Sequence, residues 1–317
     1  MLSQITCRLL QRCTGLNVLL CLLFFTVVSA SAQKPDVEND KARRSGNHQI
    51  SEVRKEYRLV RTDVIPHRGG RAEFPENTMY AYERNLRHGV SLDADIRRTR
   101  DGDIVVIHDE TTGRTCDKDL VVAEKTVAEL KALDAAYKFD PKRDETFPLR
   151  GRGIEIPTLD EVLARFVSQR QPEAILWIDT KDDEDYSFSD NQILYDRLIE
   201  LIGAHNLWNE AHIEVSAIRE AEALRNRDPR IRTVYYSAKE DAARDALSYP
   251  HFVRIGVPPG TAAKVAKQIR ASGKMVHVSK VARSNWLDVR SVEPNSVGSD
   301  RYLELLEFAH SNSNASD

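Results

Sequence analysis

The strongest constraint on the fold is a repeated alternation. Nine short runs rich in β-branched and aromatic residues, at 64–67, 92–96, 104–108, 174–180, 212–215, 231–236, 252–257, 275–279 and 296–298, are mostly separated by stretches with helical apolar spacing. Thr158-Leu159-Asp160-Glu161 reads as a capping box that opens a helix through Phe166, and 262–271 carries apolar residues at helical spacing before Gly273. Strand–helix alternation on this scale predicts an α/β chain with a parallel sheet, closed as a (β/α)8 TIM barrel; an open doubly wound sheet is the alternative. A length of 317 residues suits one large barrel or two smaller domains. Nine runs exceed eight strands by one, and the surplus is expected to be one arm of a hairpin turning at Asp101-Gly102. Residues 113–153 interrupt the alternation with a charged, proline-containing segment around one short helix. This segment is read as a small insertion after the His108 strand, overhanging the pocket.

The N-terminus has another character. Arg8 and Arg12 precede an apolar run from Val18 to Val28, followed by Ala30-Ser31-Ala32 and polar residues, the order of a secretory signal peptide. The expected organisation is a signal peptide at 1–32 cut after Ala32, a flexible leader at 33–55, a barrel domain at 56–310 and a disordered tail at 311–317, giving a secreted or periplasmic protein. A retained membrane anchor is the competing reading. After cleavage no stable membrane span is expected. Loss of Arg8 and Arg12 from 46 basic residues, against 49 acidic ones, leaves a mature net charge of −5. That balance argues against sequence-independent nucleic-acid binding. Cys7, Cys13 and Cys21 leave with the signal, so Cys116 has no internal disulfide partner and reads as passive. Cys21 follows Leu20 and not a small residue, which argues against lipoprotein processing.

Polar groups gather where the apolar runs end. If Asp101-Gly102 forms a two-residue turn, Arg100 pairs with Asp103 and Asp95 falls opposite His108, with Asp93 on the same face. The first run ends in His67-Arg68-Gly69-Gly70, followed by Glu76-Asn77-Thr78 at a helix start; the fourth ends in Asp179-Thr180-Lys181, and the last in Ser299-Asp300. Chemistry in a barrel sits at these C-terminal strand ends. Each group also has a plain structural explanation: a core histidine, a helix-start pair, a solvated ion pair. Their joint occurrence at successive strand ends is what points to a site.

The segments HRGGRAEFPENT, LDADIRRTRDGDIVVIHD and ILWIDTK together resemble the glycerophosphodiester phosphodiesterases. The resemblance implies a (β/α)8 barrel, one divalent cation (Mg²⁺ or Ca²⁺) and cleavage of a small-molecule phosphodiester. Carried over by position, it implies His67 and His108 as the catalytic pair, with His67 favoured as base and His108 as acid. It further implies Asp93, Asp95 and Asp179 as cation ligands, Arg68 and Lys181 as phosphate-binding residues, and Glu76 and Asn77 as supports. Three carboxylates suit a hard cation, and paired imidazoles suit proton transfer near neutrality. Asp93 and Asp179 depart from the glutamates usual in the family. Ser279-Lys280 stands where the family usually places an aromatic residue, which raises the expectation of a more polar or anionic substrate group, against a Lys280 that merely faces solvent. A lyase that stops at a cyclic phosphate and a non-catalytic phosphoester-binding barrel are the rival readings.

Overall fold

The computed structural model describes residues 62–181, 188–237, 240–261 and 263–313. The expected signal peptide (1–32), the leader (33–55) and residues 314–317 lie outside them. Nine strands form one curled sheet: β1 (Asp63–Pro66), β2 (Leu92–Arg98), β3 (Ile104–Val106), β4 (Leu176–Thr180), β5 (Ala211–Val215), β6 (Arg232–Tyr236), β7 (Phe252–Val257), β8 (Met275–Val278) and β9 (Ser296–Ser299). The hydrogen-bonded order runs β1-β9-β8-β7-β6-β5-β4-β2-β3. All pairings are parallel except β2 with β3. Eight parallel strands with intervening helices make the (β/α)8 barrel.

The helices are α1 (Met79–Arg87), α2 (Val127–Lys131), α3 (Leu159–Gln169), α4 (Phe188–Ala204), α5 (Ile218–Arg227), α6 (Glu240–Asp245), α7 (Ala263–Ala271), α8 (Trp286–Ser291) and α9 (Tyr302–Ser313). Thr158 and Glu161 form the expected capping box on α3. At the other end of the chain, α9 continues through Ser313, three residues into the stretch expected to be a frayed tail. No helix among the described residues is long and apolar enough to cross a membrane.

Two features of the hairpin differ from expectation. The surplus strand is β3, an antiparallel arm outside the parallel set, paired as Ile96 with Val106 and Arg98 with Ile104. Thr99 N donates to Asp103 O and Gly102 takes φ +84°, so the loop has three residues, Arg100-Asp101-Gly102, with glycine alone in the left-handed region. The register is thus one residue off the two-residue count: Ile107 N donates to Asp95 O, and Asp95 does not lie opposite His108. A one-residue slip would send His108 to the other face of a continuing strand. The ladder stops at Val106, and the bend that follows returns the imidazole toward Asp95.

Strand alternation explains both the core and the site. On β2 and β4 the residues Leu92, Ala94, Ile96, Leu176 and Ile178 face the helices and join a core with Leu163, Phe166, Leu198 and Ile213. Each such fully buried aliphatic side chain contributes about 1.5–3 kcal/mol. The other face points into the barrel. There Ile65, Trp177 and Val234 form a small apolar cluster, with Trp177 level with Asp93 in the sheet, and the same interior holds buried Asp95, Arg254, His277 and Ser296. β1 and β2 touch without a ladder between them among the described residues; side chains bridge that seam, with Ser91 Oγ donating to the Asp63 carboxylate at 3.0 Å. The segment 113–153 builds α2 and its own apolar cluster of Cys116, Val122, Leu130 and Leu133 on the outer side of Val105 and Ile107. Burial pushes the Cys116 thiol up to about 11, which leaves it unreactive and structural.

Candidate active site

The loop after β1 is pressed tightly against its surroundings. Arg68 adopts φ +53°, Gly69 φ +81° and Gly70 φ +87°. A Cβ on Gly69 would lie 2.8 Å from Ala81 Cβ on α1, and one on Gly70 would lie 2.8 Å from the Tyr302 ring on α9. Only glycine allows this approach, and the approach turns the Arg68 backbone N–H onto Asp93 Oδ2 at 2.7 Å. His67 is thereby fixed at the mouth.

Each histidine is held at Nδ1 by a carboxylate that an arginine holds in turn. His67 Nδ1 lies 2.5 Å from Asp300 Oδ1, and Arg71 reaches Asp300 Oδ2 at 2.9 Å. His108 Nδ1 lies 2.6 Å from Asp109 Oδ1, and Arg114 Nε donates to Asp109 Oδ2. With Nδ1 donating to a carboxylate, the neutral ring presents Nε2 as its acceptor. Burial would raise both acids. Against it, the Arg114 and His108 hydrogen bonds hold Asp109 down at about 2, and His67 and Arg71 hold Asp300 far below the usual carboxylate range. Burial lowers the His108 imidazole below its ordinary value, partly opposed by Asp95 and Asp109.

The acids stand between these dyads. Asp95 and Asp179 are register partners on β2 and β4, and Asp93 lies one step down the same inner face. Asn77, at φ +54°, donates from Nδ2 to Asp95 Oδ2 at 2.7 Å, and the Tyr82 hydroxyl lies 2.8 Å from Asn77 Oδ1. Asn77 thus holds the Asp95 carboxylate in place. Glu76 lies 3.3 Å from Arg68 and accepts two hydrogen bonds of 2.6 Å from Arg114. Burial pushes the Asp93 carboxyl up to about 7, with Asp95 adding to the rise, and pushes Asp179 up to about 6. Asp95 goes the other way, since Lys181, Arg68 and His108 outweigh its burial. His67 acts electrostatically on Asp93 and Asp179, and His108 acts on Asp95, so all five groups share one mouth.

The basic residues are arranged differently from expectation. Lys181 and Arg68 are not standing clear to receive a phosphate: Lys181 Nζ lies 3.1 Å from Asp95 Oδ1 and contacts Asp179, and Arg68 Nε lies 3.5 Å from Asp95 Oδ2. Among the described residues no group of three or more His, Cys, Asp or Glu side chains is disposed to hold an ion. Lys181 lies between Asp95 and Asp179 and supplies part of the positive charge that the clustered acids require. The balance is incomplete: the three carboxylates of Asp93, Asp95 and Asp179 face two cations, Lys181 and Arg68. An all-oxygen donor set short of positive charge fits a hard divalent cation.

Several participants escaped sequence reasoning. In the sequence Asp300, which ends the last apolar run, has no role of its own, and neither do Asp109, Arg71 and Arg114; only pairing across the fold joins them to the histidines. Glu214 on β5 is the register partner of Asp179 and accepts from Trp177 Nε1 at 2.6 Å. Burial, with Asp179 next, pushes its carboxyl well above the usual range. Its one sequence signal is an acid on the inward face of β5, two residues after His212. Tyr236 on β6 stands beside Ser279: the Ser279 hydroxyl donates to Tyr236 Oη at 2.7 Å, and the ring lies where a Cβ on Gly256 would meet it at 2.7 Å. Lys280 is exposed.

Fold and mouth together define a (β/α)8-barrel protein with two carboxylate-paired histidines beside a carboxylate cluster. Residues 67–293 match the Glycerophosphoryl diester phosphodiesterase family, and the chain belongs to that family. A glycerophosphodiester phosphodiesterase of Bacillus subtilis is 27% identical over 222 residues, covering 68% of this chain and 74% of the relative. One from Caldanaerobacter subterraneus is 41% identical over 104 residues, and the chain spans 40% of that relative's length. Among solved structures, an Oleispira antarctica phosphodiesterase in complex with the product sn-glycerol-3-phosphate superposes with a TM-score of 0.65 at 20% identity, covering 81% of this chain and 99% of that one. At that identity the likeness carries the fold alone.

Proposed function

We propose that the protein is a divalent-cation-dependent phosphodiesterase that hydrolyses glycerophosphodiesters to an alcohol and glycerol phosphate. The observation that carries this reading is the pair of imidazoles, each pinned at Nδ1 by a carboxylate and set on either side of one acid cluster. Two such groups suit opposite proton transfers on one substrate, and Nδ1 anchoring stabilises the imidazolium formed in each. Asp93, Asp95 and Asp179 would hold the cation, which when bound would neutralise phosphoryl charge and orient the diester.

His67 takes at Nε2 the proton of the glycerol hydroxyl that attacks phosphorus, with Asp300 stabilising the charge that develops. His108 donates to the leaving alkoxide; burial makes its imidazolium a stronger acid than usual, which suits that donation. Water, losing its proton to the then-neutral His108 while His67 returns its own, opens the resulting cyclic phosphate to glycerol phosphate. Arg68 and Lys181 exchange carboxylate partners for phosphate oxygens as substrate and cation arrive, Arg68 by its planar fork and Lys181 as a compact charge. The same reading places the enzyme outside the cytoplasm after removal of residues 1–32, and an N-terminal sequence of the exported protein beginning at Gln33 checks it.

Turnover of glycerophosphocholine that EDTA abolishes and Mg²⁺ or Ca²⁺ restores is the expected result. Saturable binding without turnover would overturn the assignment in favour of a binding module. Phosphorus NMR separates the hydrolase from a lyase: linear glycerol phosphate is expected, and an accumulating cyclic phosphate would contradict it.

A further inference from the structure

Beside the histidine pair, between the insertion and the barrel rim, lies a cavity of about 380 Å³. Its inner wall is shared with the site. Asp300, which anchors His67, lines it, and so does Arg114, which holds Asp109 beneath His108. A substrate group directed outward from between the two imidazoles on this side therefore enters this cavity. Its volume falls in the range of about 300–1,000 Å³ typical of small-molecule pockets.

The lining has a definite charge. Arg71 and Arg114 are engaged with Asp300 and Glu76, which cancels the inner wall. The outer wall keeps a surplus from Lys138 and Arg143, contributed by the insertion, and from Arg301 after β9. Lys138 Nζ donates to the Gly113 carbonyl, a neutral partner, and Arg301 has Glu304 only at 4.0 Å. The remaining acid, Asp140, has Oδ2 bound by the Glu145 N–H at 2.8 Å, while Oδ1 is buried with no hydrogen-bond partner. An orphaned buried acceptor calls for a donor, such as a ligand hydroxyl.

We infer that this cavity is a leaving-group subsite selecting diesters whose alcohol is a polyol carrying a further anionic group, such as a second phosphate. This rests on the phosphodiesterase reading and refines its substrate class. Lys138, Arg143 and Arg301 face the anion, and Asp140 Oδ1 takes a hydroxyl. A cationic alcohol such as choline meets like charge there.

Two substrates that differ by one phosphate test the inference: glycerophosphoinositol and glycerophosphoinositol 4-phosphate. Wild-type kcat/KM is expected to favour the phosphorylated diester by about tenfold, equivalent to about 1.4 kcal/mol. The preference should shrink in about 0.5 M salt, where exposed charges are screened. The double variant Lys138→Glu, Arg143→Glu changes two exposed residues outside the catalytic machinery and should erase the preference, leaving glycerophosphoinositol within about twofold of wild type at the exposed-charge scale. Equal preference in wild type and variant, or equal loss on both substrates, would overturn the subsite. If neither diester is turned over, the phosphodiesterase reading fails, and calorimetric binding of glycerophosphoinositol 4-phosphate decides the subsite alone. Tighter binding by wild type than by the double variant keeps it, and equal binding removes it.

Discussion

Asp300, 233 positions beyond His67 in the chain, accepts the His67 Nδ1–H at 2.5 Å and ties the last barrel strand to the loop after the first. The contact does two things at once: it fixes which imidazole nitrogen faces the mouth, and it joins β9 to the β1 loop at the rim.

Asp300→Asn keeps the size of the side chain while removing its charge, so the imidazolium of His67 loses its stabilising partner. We expect kcat to fall by roughly 10²-fold with KM changed little, and His67→Ala to fall at least as far, the scale of a lost general acid–base group. Steady-state kinetics on glycerophosphocholine, with circular dichroism as the folding control, check this. Near-full activity in His67→Ala would refute its assignment as the proton acceptor.

Cation binding should depend on pH in a definite direction. Asp93 and Asp179 rise from 3.8 to about 7 and about 6 in the folded chain. The folded state therefore binds these protons more tightly than the unfolded state, and the resulting stability is complete below about 4 and lost as pH rises through 6 to 7. His108 and buried His212, held low by burial, act with opposite sign as pH falls below the ordinary histidine value. The useful readout is therefore the gain in Tm on adding cation, in which those histidine contributions largely cancel. A cation competes with the Asp93 and Asp179 protons, so the gain from saturating Mg²⁺ or Ca²⁺ should be larger at about pH 8 than at about pH 5.5. An equal gain at both would exclude these acids as the ligands.

Gly69→Ala tests the loop. The new methyl group would lie 2.8 Å from Ala81 Cβ at φ +81°, so both the contact and the backbone resist it. A cost of about 1–3 kcal/mol is expected from the backbone conformation alone. Urea denaturation measures that loss, and displacement of His67 should lower kcat as well. A variant with wild-type stability would show that the loop is not clamped against α1.

Much of this protein is written locally. The nine strand runs, the α3 capping box and the polar strand ends follow from periodicities of two and 3.6 residues and from cap chemistry, which neighbouring residues determine among themselves. The hairpin register was misjudged because turn type decides it: Gly102 alone in the left-handed region makes a three-residue loop, and one residue's difference exchanges strand faces. The pairing of Ser279 with Tyr236 is equally invisible along the chain, because Tyr236 comes from two strands away in the sheet.

The sequence by itself determined the alternation of strand and helix and the polar residues that end the apolar runs, because these follow from local periodicity. The (β/α)8 barrel was one of two architectures it allowed, and the two imidazoles and three carboxylates were a set only by family resemblance. Tertiary structure alone decided who partners whom: Asp300 with His67, Arg114 with Asp109 and Glu76, Lys181 between Asp95 and Asp179. Those choices depend on distances of a few ångströms between groups far apart in the chain. Those neighbours also separate two buried acids, since burial raises Asp93 while Lys181, Arg68 and His108 outweigh burial at Asp95 and hold it low.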